Sequence, residues 1–202
     1  MNRSKIVAKI LQNPRGTWID AVAIMRGHAL KLLWRFTKPK VHIGKGFRAY
    51  VYPVFEGPGH ITLGDRVSFV RNYGKCPYFV THTPEARIVI GSDGVMSGLR
   101  ISCTQSVEIG TNSVLANSII ADSEKLPAAT DQSATVAALC GTKPVLIGSH
   151  VWIAMNSYIM SGTVLGDECV VASGAVVFGA TMEPRSLVGG NPGRKLAETR
   201  AP

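Results

Sequence analysis

The chain has 202 residues, 46% hydrophobic and 17% charged, a globular composition that excludes a disordered chain. The net charge of +9 comes almost entirely from residues 1–40, which hold nine basic side chains and one acidic one; the rest of the chain holds 13 basic and 12 acidic side chains. A near-neutral body disfavours nucleic acid as a partner. With no evident secretory signal, no CxxC pair and no zinc spacing, we expect a cytoplasmic protein with reduced thiols and no metal.

Residues 1–40 are predicted to form a basic, amphipathic helical segment. The helix is expected over GTWIDAVAIMRGHALKLLWRF, after a break at Pro14, Arg15 and Gly16. No uncharged run reaches the ~20 residues that a membrane span needs. Two roles remain open, and one helix could serve both. The helix could cover the open end of the domain that follows, or it could lie on an anionic membrane, at the inner face of the cytoplasmic membrane.

A six-residue repeat occupies most of the remaining chain. From residue 145, in VLIGSHVWIAMNSYIMSGTVLGDECVVASGAVV, an aliphatic residue recurs every six positions, and a small or medium residue stands two places before each. This period fits neither a helix of ~3.6 residues per turn nor plain strand alternation. It is typical of a chain that turns a corner every six residues, so that three sides make one coil and stacked coils form parallel sheets ~4.8 Å apart. The predicted inward column is Ile147, Ile153, Ile159, Leu165, Val171 and Val177.

The same column continues upstream, less regularly, to Val41. A dipeptide of an aliphatic residue and glycine recurs in this register six times, from Ile43-Gly44 to Leu165-Gly166. We expect polar and glycine positions at the corners, with Gly148, Gly162 and Gly166 as examples, because unusual backbone angles are easiest for glycine. The repeat breaks for one loop excursion at residues 122–144. The stretch at residues 118–132, where the chain leaves the repeat, is polar and acidic and contains no histidine.

From about residue 41 to residue 196 the sequence resembles the hexapeptide-repeat acyltransferases, and within them the maltose, galactoside and polysaccharide O-acetyltransferases. The segments KPVLIGSHVWIA, VVASGAVV and LVGGNPGRKL carry this resemblance. It implies an all-β fold, a left-handed parallel β-helix, behind the N-terminal α-helical segment and before a tail at residues 197–202. It also implies a homotrimer with active sites between subunits, and CoA-dependent O-acetyl transfer from acetyl-CoA to a sugar, a surface polysaccharide or a lipid-linked glycan precursor.

The resemblance further implies a set of residues along the coenzyme groove. Ala154 stands where the family has glycine, and Phe178-Gly179 stands where it often has Thr-Lys. Arg194 suits a CoA phosphate. Structural roles remain open, with Trp152 covering a face of the coil and GGNP at residues 189–192 ending it. The full predicted set is Trp152, Ala154, Met155, Ser173, Gly179 and Arg194.

The catalytic base is the point where the sequence departs from the family. Acetyl transfer from a thioester needs a base to deprotonate the acceptor hydroxyl. In the resembled family this base is a loop histidine followed by proline, and the matching position here is Leu126, before Pro127. Leucine cannot accept a proton, so the candidates are Glu124 and Asp122 in the same loop, and His82. The other histidines are weaker candidates: His150, expected in a turn, and His28, His42 and His60.

Three hypotheses about function follow. The first is an active O-acetyltransferase that uses another base. The second is a catalytically degenerate β-helix protein that binds a glycan, or that regulates an active acyltransferase as its partner. The third is transfer of a longer acyl chain, since Leu126 and Phe178 make the groove more apolar.

Overall fold

The computed structural model describes residues 13–70, 75–123 and 141–199, without the side chain of Pro14. Three residues named above, Glu124, Leu126 and Pro127, lie outside the described residues, as does Cys140. The described chain contains one helix, α1 (Pro14–Thr37), followed by 21 strands. Strand β12 ends at Ala121 and β13 begins at Val145, so the predicted excursion falls between these two strands.

The strands form three sheets, and successive coils of the chain add one strand to each. Sheet A contains β1 (Val41–Ile43), β4 (His60–Leu63), β7 (Arg87–Ile90), β10 (Ser106–Ile109), β13 (Val145–Ile147), β16 (Val164–Leu165) and β19 (Thr181–Met182). Sheet B contains β2 (Arg48–Ala49), β5 (Ser68–Val70), β8 (Val95–Ser97), β11 (Val114–Ala116), β14 (Trp152–Ile153), β17 (Val170–Val171), β20 (Ser186–Gly189) and β21 (Arg194–Glu198). Sheet C contains β3 (Val54–Glu56), β6 (Tyr78–Thr81), β9 (Arg100–Cys103), β12 (Ile119–Ala121), β15 (Tyr158–Ile159) and β18 (Val176–Val177).

Strand pairing makes this a three-sided parallel β-helix. Ile109 on β10 lies beside Ile90 on β7 and Ile147 on β13, so equivalent residues of the repeat stack in register. The last strand is different, because β21 runs antiparallel to β20. The chain thus turns back after the final coil, and the strand continues to Glu198, two residues into the segment predicted to be a tail.

The predicted core is confirmed. All six residues of the aliphatic column are buried, and so are the small residues two places before them. The first coils differ from the rest because their core contains four phenylalanines. The Phe47 and Phe69 ring centroids lie 5.1 Å apart, and those of Phe55 and Phe79 lie 5.2 Å apart. These large rings fill the end of the β-helix that α1 covers.

Helix α1 covers the open first coil, as one of the two predicted roles required. Ala23, Leu30 and Trp34 are buried on its inner face, and the Trp34 ring meets the Phe55 ring edge-on at 4.9 Å between centroids. The predicted break at Pro14 was wrong, because the helix begins at that proline. The Asn13 side chain accepts from the Gly16 backbone N–H at 2.9 Å, and proline is well tolerated in the first helical turn.

The glycines of the repeated dipeptide do not have the unusual backbone angles that were expected of them. Among the described residues, Gly44, Gly148 and Gly166 do not have positive φ angles. A Cβ on Gly148 would instead lie 2.4 Å from the Asp167 carboxylate oxygen of the next coil. The dipeptide therefore marks close approach between stacked coils, and only Gly162 of the predicted examples has a left-handed backbone.

The left-handed corner position falls two residues after each glycine of the dipeptide. His150 occupies it with φ of 58°, which confirms its predicted place in a turn. Residues other than glycine in this conformation carry strain. The equivalent residues in other coils are Arg66, Asp93, Asn112 and Glu168.

Candidate active site

Two of the three corners of the coil carry the predicted functional residues. We define the loop edge as the corner between sheets C and A, formed by His82, Thr104, Ser123, Ser161 and Gly179 in successive coils. We define the groove edge as the corner between sheets B and C, formed by Asn117, Ala154, Met155, Ser173 and Gly190. The outward face of sheet C separates the two edges.

The excursion leaves and rejoins the β-helix at a firmly held point on the loop edge. Ser123 and Thr142 form an antiparallel bridge. The Lys143 backbone N–H donates to the Asp122 carbonyl at 3.0 Å, and the Ser161 hydroxyl donates to the Gly141 carbonyl at 3.1 Å. Both ends of the loop are therefore fixed to neighbouring coils.

Asp122 is buried beneath this point. Its carboxylate accepts from the backbone N–H groups of Thr104, at 2.7 Å, and Gln105, at 2.5 Å. The Cys103 thiol points at the same carboxylate, with Sγ and Oδ2 3.5 Å apart. Asp122 has no exposed surface from which to reach an acceptor, so the structure gives it a structural role rather than that of the predicted base.

Cys103 is a free thiol buried in the core of the coil. Burial, followed by the neighbouring Asp122 carboxylate, raises the pKa of the Cys103 thiol to about 12. Burial also raises the pKa of Cys169. Neither thiol is therefore a ready thiolate at neutral pH. Cys76 is the exposed cysteine of the described residues.

Replacing Asp122 by alanine should lower the free energy of unfolding by about 2–4 kcal/mol, because two backbone N–H groups lose their acceptor. Urea unfolding monitored by circular dichroism would measure the loss. Glu108→Ala is the matched control, since this exposed carboxylate on β10 forms no hydrogen bond among those of the described residues, and the expected change is within about 0.5 kcal/mol. A loss below about 1 kcal/mol in Asp122→Ala would contradict the structural role.

His82 lies on the loop edge, two coils before the excursion. Its side chain is exposed, and Nε2 lies 2.8 Å from the Ser102 hydroxyl oxygen. Thr104, in the next coil, contacts Ser123 at the start of the loop, with 2.7 Å between their hydroxyl oxygens. Of the two predicted bases that the structure describes, Asp122 is buried and His82 is exposed, on the loop edge.

The predicted coenzyme residues fall mainly on the groove edge. Ala154 and Met155 lie directly beneath Ser173, because the Gly174 backbone N–H donates to the Met155 carbonyl at 3.1 Å. Arg194 begins β21, which pairs with β20 at Gly189. Trp152 lies two residues before Ala154 on β14, with 55% of its surface exposed. Gly179 is the exception, since it lies on the loop edge, where its backbone N–H donates a hydrogen bond to the Ser161 carbonyl.

The face of sheet C between the edges contains residues that the sequence analysis did not select. Tyr78, Arg100, Ile119 and Tyr158 stack outward in register on successive strands. The Arg100 guanidinium lies over the Tyr78 ring, 4.9 Å from its centroid. They line a groove of about 390 Å³ that reaches Asn117. The repeat predicts that these residues point outward, but neither their residue types nor their spacing in the sequence indicates a functional site.

Two further structural findings bear on the class of protein. Within the described residues, no group of three or more His, Cys, Asp or Glu side chains is placed to hold a metal ion. In the same part of the chain, no helix has both the length and the apolar character needed to cross a membrane.

Comparison with known sequences identifies the repeat. A model of the bacterial transferase hexapeptide family (six repeats) matches residues 144–179. A chloramphenicol acetyltransferase from Agrobacterium fabrum is 39% identical over 51 residues, which make up 25% of this chain and 24% of that protein. The matched part thus spans about a quarter of the relative's length.

Comparison with solved structures identifies the fold. The polysialic acid O-acetyltransferase OatWY superposes with a TM-score of 0.63 at 23% identity, covering 78% of this chain and 74% of that chain. A mutant of AntD, an N-acyltransferase from Bacillus cereus in complex with dTDP and coenzyme A, gives 0.64 at 17% identity, covering 82% and 89%. A hexapeptide-repeat acetyltransferase from Vibrio cholerae gives 0.53 at 18% identity, covering 91% and 94%.

These likenesses define the class of protein. The chain is a left-handed parallel β-helix of hexapeptide repeats with an N-terminal helix, as predicted. It resembles the hexapeptide-repeat acetyltransferases in fold, and residues 144–179 carry their repeat.

Proposed function

We propose that the protein is a CoA-dependent O-acetyltransferase that modifies a sugar or glycan. The observation that carries the proposal is the arrangement of the two edges. Five of the six residues expected to contact the coenzyme lie on or beside the groove edge, in the fifth and later coils. The face of sheet C separates this edge from the loop edge, on which His82 lies in the second coil and the excursion begins in the fourth. The acceptor class is supported by the likeness to OatWY, whose name specifies polysialic acid. The donor is supported by the likeness to AntD, which was solved with coenzyme A.

The groove edge offers two groups for the nucleotide end of the coenzyme. Arg194 is exposed and presents a guanidinium that can bind a phosphate through two parallel hydrogen bonds. Trp152 exposes an indole face against which the adenine could stack. The pantetheine arm would then cross sheet C toward Gly179, which has no atom within 4 Å of the position where a Cβ would lie.

The reaction at the loop edge follows from general acid–base chemistry. His82 takes the proton of the acceptor hydroxyl, and the resulting oxygen nucleophile attacks the thioester carbonyl. The tetrahedral intermediate collapses by breaking the C–S bond, so the acetyl group passes to the acceptor and CoA leaves as a thiol after receiving the proton. Ser102 holds Nε2 of the ring and leaves Nδ1 for the acceptor. In the homotrimer that the resemblance implies, a neighbouring subunit would form the opposite wall of this site.

Arg194→Ala should weaken CoA binding about tenfold or more, because a charge-assisted contact to a phosphate is lost. Titration calorimetry with CoA and with dephospho-CoA measures this, and the variant should lose less affinity for the ligand that lacks the phosphate. Arg87→Ala is the control, an exposed arginine on sheet A, away from the groove edge.

The same titration separates the proposal from its main alternative. If the intact protein binds no acetyl-CoA at millimolar concentration, the proposal fails and a catalytically degenerate binding protein is favoured. If it binds, thiol release should be followed with a panel of sugar and glycan acceptors, which identifies the acceptor. A series of acyl-CoA donors completes the test, since an optimum at acetyl would reject the longer-chain hypothesis.

A further inference from the structure

Helix α1 has a second apolar face, which points away from the β-helix. At about 100° per residue, this face lies opposite the buried Ala23, Leu30 and Trp34. Trp18 and Phe36 are separated by five full turns, so the face runs about 27 Å along the helix. We name it the outer stripe, and its members are Trp18, Val22, Met25, Ala29, Leu32, Leu33 and Phe36.

The outer stripe is exposed over most of its length. Trp18 is 69% exposed, Met25 60%, Leu32 63%, Leu33 55% and Phe36 77%. The inner face alone covers the first coil, so packing against the β-helix does not explain these residues. A contiguous patch of large apolar side chains on a soluble surface marks an interaction site.

Basic residues lie between the outer stripe and the inner face. Arg26 lies on one side, with its guanidinium turned toward the β-helix, where it donates to the Tyr50 backbone carbonyl at 3.0 Å. Lys31 lies on the other side, nearer to the inner face, and its ammonium donates to the Gly44 carbonyl at 3.0 Å. Arg35, also on the second side, is exposed in the last turn. Neither bonded cation is neutralised, because a carbonyl carries no charge. The ion pairs within the described residues are Arg66 with Asp93, and Lys195 with Glu183 and Glu198.

We propose that the outer stripe lies on an anionic lipid surface, with its apolar side chains at the headgroup boundary and the exposed Arg35 beside the lipid phosphates. The positive charges of Arg26 and Lys31 add a longer-range attraction, and an apolar helix face with basic residues around it is the chemistry that such a surface binds. A second copy of α1 is the poorer partner, because stripe-to-stripe contact would bring two cationic helices together. This inference goes beyond acetyl transfer and does not depend on it.

The location of α1 orients the protein on this surface. Because α1 covers the end of the first coil, its opposite face points away from the stack of coils. The excursion leaves the loop edge after β12, in the fourth coil. With coils ~4.8 Å apart and a helix ~10 Å thick, this edge stands about 25 Å above the lipid. That height suits a glycan that extends from a membrane anchor, a consequence that rests on the proposed function.

Vesicle co-sedimentation of the full chain tests the inference. The protein should bind vesicles of phosphatidylcholine with about 30% phosphatidylglycerol, and binding should fall when salt is raised to about 0.5 M. The double variant Trp18→Gln with Phe36→Gln should bind at least tenfold more weakly, since membrane binding scales with the apolar area inserted. Leu196→Gln is the matched control, because this leucine on β21 is as exposed as Leu32 but lies outside α1.

Three outcomes would overturn the inference. The intact protein does not bind the anionic vesicles, or the double variant binds as well as the intact protein, or Leu196→Gln weakens binding equally. Sedimentation velocity of the double variant without lipid identifies the other occupant, because a smaller assembly would show that the stripe joins copies of this chain. Acetyl transfer to a soluble acceptor should be unchanged in the double variant, so failure of the proposed function would be seen separately.

Discussion

Replacing Gly110 by alanine is expected to lower the free energy of unfolding by about 3 kcal/mol, through overpacking between two coils. A Cβ at this position would lie 2.5 Å from the backbone carbon of Gly148 and 2.5 Å from the backbone nitrogen of Ser149. Those atoms belong to the next coil, and the ladder of hydrogen bonds between β10 and β13 fixes their distance. Since backbone cannot rotate away as a side chain can, the coils must separate locally. For a chain of this size the melting temperature should fall by about 6–12 °C.

The matched control is Gly174→Ala, which separates crowding from backbone conformation. Gly174 has φ of 74° with nothing within 4 Å of its Cβ position, whereas Gly110 does not have a positive φ. The control variant should lose only about 1–2 kcal/mol, the cost of a left-handed alanine. Differential scanning calorimetry of both variants gives the comparison. If Gly174→Ala costs as much as Gly110→Ala, close stacking is not the reason for the glycine.

The difference between Gly110 and Gly174 is one that the sequence does not reveal. The six-residue period predicted the core because burial depends on side-chain character, which the sequence displays directly. The role of glycine was misassigned, because the same residue satisfies two different constraints and the sequence does not say which. Gly148 is required by the neighbouring coil, whereas the strained corner two residues later is occupied by His150.

The site was less predictable than the fold for a related reason. Asp122 looked like an acid in a polar loop, but it binds the Thr104 and Gln105 backbones of the previous coil. Gly179 was grouped with Ser173 by the family resemblance, although the face of sheet C separates them. In a β-helix, contacts are made between coils, so a residue's neighbours are fixed by the length of each intervening turn. The loop at residues 122–144 makes the largest change in that length, but equivalent residues of earlier coils, such as Leu63 and Ile90, are also spaced unlike those of the regular repeat.

Helix α1 is a third feature whose arrangement the sequence predicted only in part. Its sequence was interpreted as one amphipathic helix with two possible roles. The structure shows two apolar faces, with Trp34 on the inner one and Trp18 on the outer one. A helix that is apolar on opposite sides has little net amphipathic character, so periodicity alone does not separate the faces.

His82→Ala is expected to reduce kcat by about a hundredfold or more, because general base catalysis typically contributes that much. The exposed ring, held at Nε2 by Ser102, offers a proton acceptor on the loop edge. The variant should fold and bind CoA as the intact protein does, since His82 is a surface residue away from the groove edge. Steady-state acetyl transfer to the identified acceptor, with calorimetric CoA binding on the same sample, gives both quantities. Added imidazole should restore part of the lost rate.

Two further variants make this result decisive. His60→Ala removes an exposed histidine on β4 in sheet A, and should leave kcat within about twofold, as surface substitutions do. Glu124→Gln tests the remaining predicted base, which lies in the loop. If kcat is unchanged in His82→Ala and strongly reduced in Glu124→Gln, the loop carboxylate is the base and His82 is not. If both variants lose activity, His82 and Glu124 act as a pair, because a carboxylate beside an imidazole orients the ring and stabilises its protonated form.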